Sequence, residues 1–177
     1  MTQQTIDHFT ASDSIGRTSN TECKYVPAQT GPAYWGPGDQ VTFLITGAET
    51  GGAFFMAEVL VRPGGGPPPH VHQREEESFH LLEGTLTIQV GGTTLHASPG
   101  DFVHLPRGVV HSFRNTGKVD AKFLLVVTPA GLENFFREAF YPAVDRLGAP
   151  PFSDALGARL LASASKHGLE LVPPKAE

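Results

Sequence analysis

Cysteine is the scarcest functional residue: the 177-residue chain has one, Cys23. A lone thiol closes no intrachain disulfide, so nothing indicates an oxidising compartment. It also rules out a structural zinc site of clustered thiolates. Basic residues are few as well. Thirteen Lys and Arg stand against 18 Asp and Glu, for a formal net charge of −5, and no stretch concentrates them. Phosphate binding needs a basic footprint, so nucleic acid is excluded as a partner. No apolar run reaches the length of a membrane span. The first residues, MTQQTIDHFT, lack a basic segment ahead of an apolar core, so no secretory signal is read there. The expectation is a soluble, cytoplasmic chain with no membrane partner. No unit repeats at a fixed period, and the length suits one domain, 1–177, with a sizeable core.

Glycine and proline are abundant, 20 and 15 residues, and they punctuate short apolar runs. Strands are read at 41–46, 53–61, 77–82, 85–90, 93–96, 101–105, 109–114 and 121–127. Turn chemistry separates each from the next, and Gly91-Gly92 is a two-residue hairpin signal. Short, evenly spaced strands of this kind predict an all-β antiparallel barrel or jelly roll. The barrel is placed at 34–128, behind a polar N-terminal arm, 1–33. A helical extension, 129–177, follows. In it Thr128-Pro129 reads as a cap and first turn ahead of Leu132, Phe135, Phe136, Ala139 and Phe140 at helical spacing. A second helix is predicted from Ser153 to about His167, with Gly168 as its stop and Leu156, Leu160, Leu161 and Ala164 as its apolar stripe. Such stripes cover a core; the Phe-rich first helix is also placed to roof one mouth of the barrel.

The chemistry-bearing stretch is GGGPPPHVHQREEESFHLLEG, residues 64–84. His70 and His72 are two apart, so on a strand both imidazoles point to one face. Glu75, Glu76 and Glu77 follow. Two imidazoles and a carboxylate make part of a transition-metal site, which a third imidazole from elsewhere would complete.

The spacing Gly64, His70, His72, Glu77, Gly84 resembles the first signature of the cupin superfamily. A second stretch, Gly100, Pro106, Gly108, His111 and Asn115, resembles the second signature in all its positions. The resemblance implies a cupin jelly-roll β-barrel with His70, His72, Glu77 and His111 as metal ligands. It selects Glu77 over Glu75 and Glu76, which are then read as a solvated strand edge. On the strand that follows, Glu77, Phe79 and Leu81 face one way and Ser78, His80 and Leu82 the other. His8, His80, His96, His104 and His167 match no ligand position and are assigned surface or hydrogen-bonded roles.

Three imidazoles and a carboxylate suit one divalent ion per chain, Ni, Co, Mn, Fe, Cu or Zn, without choosing among them. Four protein ligands on an octahedral ion leave two positions open for substrate or dioxygen. Phe43, Phe55, Phe79, Phe102, Phe113 and Phe123 all lie on predicted strands, and those around the site would line a dry cavity for a planar or apolar ligand. Arg62, Arg74 and Arg107 fall in loops and Arg114 at a strand end, so cationic grips for a phosphate are scarce.

The two barrel stretches, with VTPAGLENFFREA and the terminal HGLELVPP, are similar to bacterial quercetin 2,3-dioxygenases and their relatives. That resemblance implies a metal-dependent dioxygenase that cleaves a flavonol or related enol with O2. Glu77 would be the catalytic base and His70, His72 and His111 would hold the metal. The competing readings are another cupin metalloenzyme (isomerase, epimerase or lyase), or a non-enzymatic small-molecule-binding cupin. A homodimer is expected, with the arm and residues 41–46 supplying an edge strand.

Overall fold

A computed structural model describes residues 23–144, 146, 148 and 153–172. His8 and the first 22 residues of the arm lie outside these, as does the end of HGLELVPP. The strands are β1 Ala33–Trp35, β2 Asp39–Ile45, β3 Phe55–Val61, β4 His70–His72, β5 Glu76–Glu83, β6 Leu86–Val90, β7 Thr93–Ala97, β8 Phe102–Leu105, β9 His111–Arg114, β10 Ala121–Thr128, β11 Tyr141–Pro142 and β12 Leu169–Leu171. The helices are α1 Gly47–Thr50, α2 Leu132–Ala139 and α3 Asp154–Lys166. No helix among the described residues is long and apolar enough to cross a membrane.

Two antiparallel sheets face each other, as in a jelly roll. One runs β11-β1-β2-β3-β10-β5-β8 and the other β12-β4-β9-β6-β7. Period two builds the larger sheet: β3 and β10 alternate buried and half-buried residues along almost their whole length. Their inner faces, with those of β2 and β5, bring Phe43, Phe55, Phe79 and Phe123 into the core, opposite Leu86, Ile88 and Phe113 of the second sheet. The Gly91-Gly92 hairpin forms as read, with Val90 paired to Thr93 and both glycines at positive φ.

Four local expectations change. Residues 41–46 are no edge: β2 lies between β1 and β3, and the edges of its sheet are β11 and β8. Thr128 does not cap α2. It stays in β10, paired with Glu76, because the ladder to β5 continues through it. The helix starts four residues later. The Glu133 carboxylate accepts from Gly131 N, at the turn into the helix, and from Gly47 N, the first amide of α1, both at 2.8 Å. Ser153 does cap α3, its Oγ accepting from Leu156 N at 3.2 Å. Leu161, however, is 60% exposed. It sits about 140° around the helix from Leu156, off the stripe that Leu160 and Ala164 share with that residue. The C-terminal stretch is also more than helical: β11 and β12 each extend a sheet.

Candidate metal centre

The second sheet contributes three imidazoles. In β4 all three residues are buried, and period two sends His70 and His72 to one face. The β4–β9 pairing places His111 directly across from His70. Glu77 comes from the opposite sheet, on the inner face of β5 with Phe79 and Leu81, while Ser78, His80 and Leu82 turn outward as read. The four donors are buried, with ligand atoms within 4.8 Å of one another. Glu77 Oε1 lies 3.6 Å from His72 Nε2, and Oε2 lies 3.3 Å from His111 Nε2.

The tautomers follow from the surroundings. His70 Nδ1 lies 2.9 Å from Pro68 O, and His111 Nδ1 lies 2.9 Å from Val109 O. A carbonyl only accepts, so both Nδ1 atoms donate and each Nε2 keeps a lone pair for the centre. Nε2 of His72 and of His111 are buried with no hydrogen-bond partner. Donors about 2.1 Å from one shared ion stand about 3–4 Å apart, which matches the carboxylate–imidazole spacings. Orphaned nitrogens, this spacing and a donor set of imidazole and carboxylate without thiolate all fit a divalent transition metal.

Electrostatics agree. Burial would raise the Glu77 carboxyl, but the imidazoles of His72, His111 and His70 outweigh it and hold it at about 2. Burial lowers His70 to about 4, so it is a neutral imidazole at pH 7, the form that can ligate a metal. Burial also opposes protonation of His72, yet Glu77 and Glu75 together raise it.

Glu75 corrects the sequence reading. It is 4% exposed, not a solvated edge, and its Oε2 lies 3.8 Å from His72 Nδ1. At that distance the two atoms share no hydrogen bond, and the carboxylate acts on the imidazole through its charge, favouring protonation. The spacing His72-x-x-Glu75 was the available signal. Glu76 does remain half-exposed, near Arg107 and His104. Of the other described histidines, His80 is exposed, His96 and His104 meet Thr87 and Ser78, and His167 meets Glu138. None joins the cluster.

Two motif residues are structural. Gly84 has φ +68, and a Cβ there would fall 2.5 Å from Asp120 O. Asn115 is fully buried; its Nδ2 donates to Val61 O and Val119 O, both at 2.8 Å, and its Oδ1 accepts from Gly117 N at 2.9 Å. Asn115→Ala leaves these groups unpartnered and should cost about 2–3 kcal/mol in urea unfolding.

Beside the donors lies a cavity of about 170 Å³. Phe79, Phe113 and Phe123 line it from the strands, and Phe135, Phe136 and Phe140 from α2 and its end. Thus the Phe-rich helix does wall the cavity, and α3 joins it through Leu160 and Ala164. Three of the six strand phenylalanines are placed otherwise. Phe43 and Phe55 pack edge-to-face within the core, and Phe102, on the edge strand β8, is 66% exposed. No arginine or lysine lines the cavity among the described residues.

Residues 57–127 match a family model described as "Cupin domain". The chain is also 30% identical over 93 residues to Protein SchB of Streptomyces halstedii, covering 52% of this chain and 67% of that protein. The chain belongs to the cupin superfamily. This cupin is 33% identical over 101 residues to Quercetin 2,3-dioxygenase of Bacillus subtilis (strain 168), covering 56% of this chain. It spans only 30% of the length of that relative. The solved structure of the polyketide cyclase RemF from Streptomyces resistomycificus superposes on the cupin with a TM-score of 0.54 and 28% identity, over 60% of this chain and 80% of that one.

Proposed function

We propose that this cupin is a metal-dependent dioxygenase that cleaves a flavonol or related enol with O2. The observation that carries this reading is a three-His, one-Glu centre opening on a cavity walled by six phenylalanines. A bound divalent ion, held by His70, His72, Glu77 and His111, would supply Lewis-acid activation of the enol oxygen. Glu77 is a carboxylate throughout the neutral range, so it is in the form that accepts the substrate's hydroxyl proton. Its low basicity makes that transfer effective only toward an acidified enol. The phenyl rings sandwich the substrate plane and keep water from the reacting carbon. Both atoms of O2 end in the ring-opened product, and one ring carbon leaves as carbon monoxide.

The test is oxygen uptake and carbon monoxide release by protein loaded in turn with each candidate metal, across a panel of flavonols. Uptake and release in a one-to-one ratio is the expected result. No uptake with any metal would sink the reading.

The likeness to a polyketide cyclase supports a second reading, another cupin enzyme acting on an aromatic polyketide, because the same phenyl-walled cavity fits that class. Its signature is turnover unchanged by removing oxygen. An isomerase or epimerase of polar, charged molecules is less well supported, since no cationic side chain lines the cavity among the described residues.

A further inference from the structure

Among the described residues one polar side chain lines the cavity away from the four clustered donors: Asp39. It opens β2, where period two gives it the inward direction of Val41 and Phe43, both in the core. The sheet register puts it far from the centre. Glu77 is level, through Val127, with Phe55 at one end of β3, whereas Asp39 pairs with Val61 at the other. Those ends are separated by about 20 Å of strand. Asp39 is 8% exposed, and among the described residues no cation pairs with it. Pro37, two residues before it, and Phe140 line the same cavity. The packing there is close: a Cβ on Gly36 would lie 2.8 Å from Asp39 Oδ1 and 2.3 Å from Phe140 Cζ.

A leucine at this position would serve a purely apolar wall. A buried carboxyl with no cation beside it, held only by a backbone hydrogen bond within its own residue, keeps lone pairs for a further donor. Burial pushes this one up to about 7, so it meets a ligand hydroxyl either as an acid or as a carboxylate. We propose that Asp39 hydrogen-bonds a hydroxyl of the substrate remote from the end held at His70, His72, Glu77 and His111. The substrate class is then a planar phenolic molecule, apolar along its middle and polar at both ends. This deepens the flavonol reading and rests on it for the orientation of the bound molecule.

The experiment titrates two ligand pairs against metal-loaded protein under anaerobic conditions. The first pair is quercetin and 3-hydroxyflavone, which share the chelating oxygens and differ in remote hydroxyls. The second is 2-naphthol and naphthalene, which lack that chelating group. Wild type should prefer the hydroxylated member of each pair by about 10-fold, the worth of one good hydrogen bond. Asp39→Leu should abolish both preferences, and Asp39→Asn, which keeps a hydrogen-bonding group, should retain part of them. Metal content per chain and thermal unfolding of each variant establish that it is folded and loaded. An unchanged preference in Asp39→Leu, or none in wild type, overturns the assignment. The naphthol pair separates the two ideas. If its preference is lost in Asp39→Leu while flavonols consume no oxygen, Asp39 keeps its role and the dioxygenase reading falls. Oxygen uptake with preferences intact in Asp39→Leu gives the reverse.

Discussion

His72→Ala or His111→Ala will strip the metal from a barrel that stays folded. The four donors come from three strands in two sheets, so no two neighbours in sequence can rebuild the site when one is lost. Replacing even an outer-shell partner of a ligand costs about 10–100-fold in affinity, and losing the ligand itself should exceed that. The fold should survive for a local reason. Nε2 of both residues is buried without a hydrogen bond, so truncation removes an unsatisfied polar atom in each; the local cost is the Val109 carbonyl left by His111 and a weaker hold on the Glu77 carboxylate, small against the core. The large core cluster of the two sheets holds Phe43, Phe55, Phe79 and Phe123 and none of the four donors. Metal per chain by mass spectrometry, beside circular dichroism and thermal unfolding, reads both halves of the expectation. His80→Ala, on the outer face of β5, is the control that should keep the metal. Full retention in both ligand variants would remove the site as drawn.

In the metal-free protein, His70 and Asp39 should pull stability in opposite directions between pH 6.5 and 4, and Glu77 should lower it below pH 4.5. His70 titrates at about 4 when folded, below its ordinary 6.5. The unfolded chain therefore takes the proton first. The contribution of a neutral, buried His70 is present above pH 6.5 and lost as pH falls to 4, at a cost of about 3 kcal/mol. Glu77 titrates at about 2 against 4.5, so its contribution is present above pH 4.5 and lost between there and 2. His72 runs the other way: its raised value gives stability that is present below 6.5 and lost above, which offsets part of the first loss. Asp39, raised from 3.8 to about 7, also favours the acid side, being fully stabilising below 3.8 and losing that as pH rises through 7. Urea unfolding of the metal-free protein from pH 4 to 7 reads the sum, which should change little in wild type between 6.5 and 4; His70→Asn removes the opposing contribution, so that variant should gain stability as pH falls over the same range. An identical slope in that variant would refute the assignment. With metal bound, the same protons compete with the ion, so acidification should release it.

Local patterns were legible because they depend on neighbours in sequence. The alternation of β5 told which way Glu77 points, Gly91-Gly92 marked a hairpin, and Ser153 marked the start of α3. The two spaced motifs singled out the four donors that the fold brings together. The rest hung on partners far along the chain. Thr128 read as a cap until the ladder to Glu76 kept it in β10. Residues 41–46 read as an edge until β1 covered them, and Phe102 read like Phe113 until the strand order put one on a rim and the other over the cavity. Glu75 and Asp39 are the sharpest cases. Each is an acid that composition assigns to solvent, and each is buried because the packing of distant strands and helices closes over it. Sequence alone therefore indicated most of the longer strands and the two C-terminal helices, and it named the four residues that the fold brings together. Tertiary structure alone decided which further carboxylates are buried, because burial is a property of what packs on a residue and not of the residue itself.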